Sequence, residues 1–187
     1  ALGSSDGGSI LFLNYVITDN RFGDSDPTVG RIVDPGMPVF VNFRDDDRPV
    51  SVNSPIVNEA SPHAVFTVTG APSQILTLSL AAGTATPGAV DFGTATGPSL
   101  EISLDGGLTW LTYQGGEVTL PESGVMLVRT PVINDSVFDN GETFDLIATT
   151  TGGSRSTGTA TLRDDGNGAI FTARGVNDPQ AIRDDDT

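Results

Sequence analysis

The chain has 187 residues, room for one well-buried domain with an appended segment but not comfortably for two. Its net charge is −15 and all nine basic residues are Arg, so it repels phosphate backbones and anionic bilayers; neither nucleic-acid binding nor membrane insertion is expected. Cys is absent and His63 is the only histidine, which excludes a disulfide framework and thiolate metal sites and disfavours zinc.

Residues 1–9 read as a lead-in, and the apolar, β-branched run 10–18 as a strand. Turn residues fill 19–38, among them Asp24, Asp26-Pro27 and Asp34-Pro35-Gly36. A second strand is predicted over 39–43, followed by the charged junction Arg44-Asp45-Asp46-Asp47-Arg48-Pro49. From residue 50 the pattern is regular. Strands are predicted at 50–57, 64–69, 75–80, 99–104, 109–113, 117–120, 125–134, 143–150 and 157–163, with turns about every ten residues. Leu76, Leu78 and Leu80 alternate with polar residues, as a half-buried strand requires. The expected fold is all-β, an antiparallel β-sandwich carrying an extra N-terminal β/loop segment. Three parts are expected: 1–49 as N-terminal segment and junction, 50–165 as the sandwich, and 166–187 as a C-terminal strand and acidic linker.

Arg44-Asp45-Asp46-Asp47 returns as Arg183-Asp184-Asp185-Asp186, and Gly8-Ser9-Ile10 is echoed by Gly168-Ala169-Ile170. The echo reads as the joint between tandem modules, and the abrupt ends at Ala1 and Thr187 as those of a fragment whose targeting signals lie elsewhere.

Carboxylates are the one concentrated functional group. Nineteen of the 24 acids are Asp, and many cluster at predicted strand ends. Loops from distant strands meet at one end of a sandwich. Convergent short carboxylates repel one another unless a cation lies between them, and calcium takes about six to eight hard oxygens. A solvated acidic loop face is the alternative for any single Asp.

Val57-Asn58-Glu59 followed by Ala64-Val65-Phe66-Thr67-Val68 resembles the opening of a Calx-β-type domain. Gly83-Thr84-Ala85 with Asp91-Phe92-Gly93 resembles that family's mid-domain loop, and Ile133-Asn134-Asp135 through Asp139-Asn140-Gly141-Glu142-Thr143-Phe144 its acidic loop. Gly158-Thr159-Ala160-Thr161-Leu162 with Asp164-Asp165 resembles its last strand and acidic end, where Gly166 stands in place of a frequent third Asp. The resemblance spans about residues 50–165 and implies a calcium-binding sandwich of immunoglobulin-like type, recurring as tandem modules in long repeats-in-toxin (RTX) adhesins. By position it implies Glu59, Asp91, Asp135, Glu142, Asp164 and Asp165 as calcium ligands, a carbonyl from Asn134, and Asp139 in the same loop. Asp45, Asp46, Asp47 and Asp184 would clamp the joints through further Ca2+ ions.

Ser103-Leu104-Asp105-Gly106-Gly107-Leu108-Thr109-Trp110 resembles an Asp-box, a hairpin-stabilising motif of sialidases and other propellers. A propeller repeats it in every blade, and here it occurs once, so it reads as a structural turn. No Gly-x-Ser-x-Gly elbow accompanies His63, no phosphate-cradling loop is present, and no enzyme is expected. Two functions fit: a secreted module on a bacterial surface that recognises a peptide, protein or glycan, or a calcium-stiffened spacer touching only its neighbouring modules. A monomer is expected in either case.

Overall fold

The computed structural model describes residues 15–17, 28–30, 48–97 and 99–181. The chain divides into two units, Ala1–Asp47 and Arg48–Thr187. In the first, β1 (Tyr15–Ile17) pairs antiparallel with β2 (Thr28–Gly30). The strand expected at 39–43, the loop acids Asp24, Asp26 and Asp34, and the joint acids Asp45, Asp46, Asp47 and Asp184 lie outside the described residues.

The second unit is a β-sandwich. One sheet has the order β3 (Ser51–Val52), β5 (His63–Thr69), β10 (Val125–Pro131), β7 (Glu101–Ser103) and β8 (Leu111–Thr112). The other has β4 (Ile56–Asn58), β12 (Arg155–Arg163), β11 (Thr143–Thr150), β6 (Ile75–Ala82) and β9 (Val118–Thr119). Alternate residues face inward, as the pleat demands: Phe66 and Val68 from β5 and Met126 and Val128 from β10 meet Leu76, Phe144, Leu146 and Leu162 from the facing sheet. Phe66 meets Phe144 edge-on at 5.9 Å between ring centroids.

The stretch 50–57 is not one strand. Pro55 offers no N–H for a ladder, and the chain changes sheets between β3 and β4. Asn53 stays tied to the first sheet, its N–H donating to Thr67 O at 3.1 Å and its Oδ1 accepting from Thr67 N at 2.6 Å. Ser54 Oγ already accepts from Thr159 N of the second sheet at 3.0 Å. The crossing runs so close to β12 that a Cβ on Gly158 would lie 2.1 Å from Asn53 O. Having crossed, β4 pairs parallel with β12, so the sandwich is mixed where a purely antiparallel one was expected.

Residues 166–181 make isolated bridges and turns in place of the expected strand. They lie along the sandwich instead: Ala169 bridges to Val57 and Ile170 is buried. Farther on, Ala173 O accepts hydrogen bonds from Trp110 Nε1 and from Arg129 Nη1, both at 2.9 Å.

Candidate metal centre

Strands β4, β6, β10 and β12 finish, and β11 begins, at one end of the sandwich, and the loops there are rich in acids. Glu59 follows β4 directly, its N–H held by Arg163 O at 2.9 Å. Asp91 is set by its neighbour: Phe92 is fully buried and stacks on Phe144 at 4.1 Å, which leaves Asp91 at the rim of the core. The Asp91 carboxylate accepts from Thr86 N at 2.5 Å, and its carbonyl accepts from Ile133 N at 2.9 Å, tying the β6–β7 and β10–β11 loops together. Glu142 is fixed beside β12 because Leu162 N donates to Glu142 O at 2.8 Å. Asp164 ends β12, its N–H donating to Asn140 Oδ1 at 3.3 Å.

These supports bring five acids into two groups. Glu59, Asp139 and Asp164 form one; Asp91, Asp139 and Glu142 form the other; within each, one carboxylate oxygen per residue lies within 4.8 Å of the others. Asp139 belongs to both. Three of the five are deeply buried: Glu59 is 3% exposed, Asp164 3% and Asp91 5%.

The electrostatics follow from that crowding. Burial, then the charge of Asp164, pushes the Glu59 carboxyl up to about 8, with Asp139 and Asp135 adding to it and a backbone hydrogen bond from Asp135 working against it. Glu142 is pushed up to about 7, first by burial and then by its hydrogen bond to Asp91 and the charges of Asp91, Asp139 and Asp135. Asp139 is raised by burial and by Asp91, Asp135 and Asp164. Glu59 Oε2 is buried and accepts no hydrogen bond from the described residues. Such an oxygen is costly unless a proton or a cation meets it. The donor set is all carboxylate oxygen, with no nitrogen or sulfur donor among these five residues, and it fits a hard divalent ion such as calcium.

The other expected ligands are placed differently. Asp135 turns its Oδ1 to Val137 N at 2.6 Å and contributes charge and a backbone donor. Asp165 accepts from Asn167 N and from Asn140 Nδ2, both at 3.1 Å, and lies 3.8 Å from Arg163 Nη1. Burial works to raise the Asp165 carboxyl, but these partners outweigh it and hold it below the ordinary range. Asn134 is exposed. Two supporting residues escaped the sequence reading as such. Asn58 is fully buried; its Nδ2 donates to Asn167 O at 2.9 Å and its Oδ1 accepts from Ala60 N at 2.9 Å, locking the turn that carries Glu59. Asn140 joins the β10–β11 loop to Asp164 and Asp165. A polar residue closing an apolar strand run, as in Ile56-Val57-Asn58, was the available signal for the first.

The Asp-box is a closed structural unit on the β7–β8 hairpin. Asp105 Oδ1 accepts from Ser103 Oγ at 2.8 Å and Thr109 N at 2.9 Å, and its Oδ2 from Thr109 Oγ1 at 2.5 Å. Gly106 and Gly107 take φ of 73° and 89°, the left-handed region the turn needs. His63 opens β5, half-buried and lowered by burial and by Arg129, with Glu101 opposing.

No family model and no curated protein matches the chain. Among solved structures it is similar to the ASH/PapD-like domain of human CEP192 (PapD-like domain 7), at 8% identity over 73% of this chain and 94% of that one, with a TM-score of 0.27. That likeness carries no argument about function; the sandwich assignment rests on the two sheets and the core between them.

Proposed function

We propose that this chain is a calcium-binding, non-enzymatic β-sandwich module of an extracellular bacterial adhesin of the RTX type, and that it recognises a ligand on a target surface. The observation that carries the calcium reading is the buried Glu59 carboxylate, its Oε2 without a donor among the described residues, set against Asp139 and Asp164. A second ion beside Asp91 and Glu142 would share Asp139 with the first. The resemblance of residues 50–165 to Calx-β domains supplies the adhesin context.

Isothermal titration of calcium into metal-stripped protein tests this. The expected result is more than one ion per chain, with magnesium a poor competitor. Asp139→Asn should weaken both ions of the acidic end by about tenfold or more, because a ligand common to both groups is lost. No heat in the wild-type titration would sink the proposal.

A further inference from the structure

Strand β6 is paired on both sides only at its start. β11 runs along one edge from Leu76 to Ala82, whereas on the other edge β9 pairs with Ile75 and Leu76 alone. The chain ahead of β9 turns away there, through Gly115 and Gly116 at φ of 85° and 84°. The odd-numbered residues of β6 bond to β11, since Thr151 N donates to Ile75 O and Gly83 N to Thr143 O. The backbone N–H and C=O groups of Leu78, Leu80 and Ala82 therefore point the other way. Leu78 N–H is met by Tyr113 Oη at 3.0 Å. Leu78 O, Leu80 N, Leu80 O and Ala82 N meet no partner among the described residues.

Folded proteins blunt a free strand edge by keeping it short, covering it, or placing charge or Pro on it. Among the described residues the other edges of this sandwich obey that rule. β3, β8 and β9 have two residues each. β4 is covered by Ala169, which bonds to Ile56 and Asn58. β12 carries the exposed Arg155 and has Asn53 laid against Gly158 and Ser54 bonded to Thr159. β6 has none of these devices: Thr77–Ala82 holds no charge, no Pro and no Gly. A cleft of about 410 Å³ opens beside it where the two sheets part, walled by Leu78, Leu80, Leu100 and Tyr113, with Thr112 and Gln114 beside them. No charged residue lines that cleft, although the chain as a whole carries −15.

We propose that the free edge of β6 binds an extended, uncharged peptide of a partner protein as an added antiparallel strand, continuing the ladder that β9 begins. The edge itself selects the class of ligand. Its alternating donors and acceptors match a polypeptide backbone, and a polysaccharide carries no such row of N–H and C=O groups. The peptide residue opposite Leu80 exchanges both hydrogen bonds with it. The residues two places to either side reach Leu78 O and Ala82 N. Side chains of these three share the face of Leu78 and Leu80 and enter the cleft, so they are apolar. The two between them turn outward beside the exposed Ser79 and are polar and neutral. The proposal rests on the recognition half of the proposed function, names its ligand, and does not depend on the calcium half.

The probe is the peptide Ser-Val-Ser-Val-Ser-Val-Ser, acetylated and amidated, titrated into the whole chain in calcium and in chelator. Amide hydrogen exchange followed by NMR should slow at Leu80 and Ala82 and stay as it was at Leu78, which Tyr113 already holds. N-methylation of the Val amides, which face β6, should weaken binding about tenfold or more, and N-methylation of the Ser amides, which face away, should not. Ala82→Pro should weaken it about fivefold by removing one donor. Pro is tolerated where an edge N–H faces solvent, and a melting curve of this variant checks its fold. Binding should be the same in calcium and in chelator, so a failed calcium titration leaves the edge site standing. Equal weakening by the two methylation patterns overturns the proposal, as does exchange that slows nowhere. Slowing confined to other strands overturns it too, while leaving recognition in place at a different site. Protection of Leu80 and Ala82 without peptide, in step with dimerisation seen by sedimentation, would assign the edge to a second copy and overturn the assignment to a partner's peptide.

Discussion

The acidic end and the β7–β8 hairpin each hold carboxylates on tight loops, yet they treat them in opposite ways. Asp105 is surrounded by donors, from Thr109 first and then Ser103, and its carboxyl is pulled down to about 2. Glu59 faces other acids in a buried setting and is pushed up to about 8. The hairpin is chemically complete as it stands. The acidic end needs protons or a cation. An acid's role in this chain is therefore decided by what surrounds it, and an inventory of Asp and Glu cannot separate the two uses.

The strongest way to break the contrast is to supply and withdraw calcium. A thermal melt in millimolar calcium should lie on the order of 10 °C above one in chelator, since an ion bound only to the folded state stabilises it by mass action. Glu59→Gln should reverse sign between the two conditions. It should lower the midpoint in calcium by removing a ligand, and raise it by a few degrees, roughly 2–4 °C, in chelator near neutral pH, because the amide needs no proton taken up on folding as the buried Glu59 carboxyl does. A fall of equal size in both conditions would mean that Glu59 is merely a packing residue.

The pH dependence sharpens the same contrast with a smaller effect. In chelator, the folded state holds the Glu59 proton up to about 8 against an ordinary value of 4.5, so folded protein binds the extra proton inside that window. Stability is then lost as pH rises from about 4.5 towards 8, and Glu142, pushed up to about 7, adds to the loss. Asp105 works the other way: its contribution is present above 3.8 and disappears as pH falls towards 2. Melting midpoints measured from pH 5 to 8 in chelator should decline, and calcium should flatten or reverse the slope. A midpoint that climbs through that range without calcium would contradict the crowded-acid picture.

Asp105→Asn carries the smallest expected effect. It should cost a little stability by weakening the hairpin turn, and the loss should be the same in calcium and in chelator. A calcium-dependent loss would show that the two regions are coupled.

Much of this was readable along the chain. The alternation in Leu76, Leu78 and Leu80 set out a strand that forms as expected. The Asp-box turn forms because the partners of Asp105 and of Ser103 Oγ lie within a few positions, while Trp110 at its end reaches the distant Ala173. Of the expected acids, Glu59, Asp91, Asp139, Glu142 and Asp164 converge, because acids at successive strand ends meet in a sandwich, whereas Asp135 and Asp165 join neither group. What stayed hidden depends on distant partners. Pro55 signals an interruption, but the change of sheet also needs the bare backbone of Gly158 beside Asn53. Asp164 and Asp165 are neighbours in sequence, yet only Asp164 joins an acid group, because Asn140 and Asn167 bond to the Asp165 carboxylate. That Asp139 would belong to both groups follows from the fold of the loop around it, which no local pattern encodes.

The segment after β12 has a mechanical meaning. Ala173 O is gripped by Trp110 Nε1 and Arg129 Nη1 together, while Ala169 is bridged to Val57 on the β4 side. Tension applied to the chain beyond Ala181 would reach the grip on Ala173 before it reached the β12 ladder. On this side the β12 ladder is therefore shielded by hydrogen bonds of the segment that follows it, from Asp178 N to Ile170 O and from Thr172 N to Val176 O as well as those on Ala173 O.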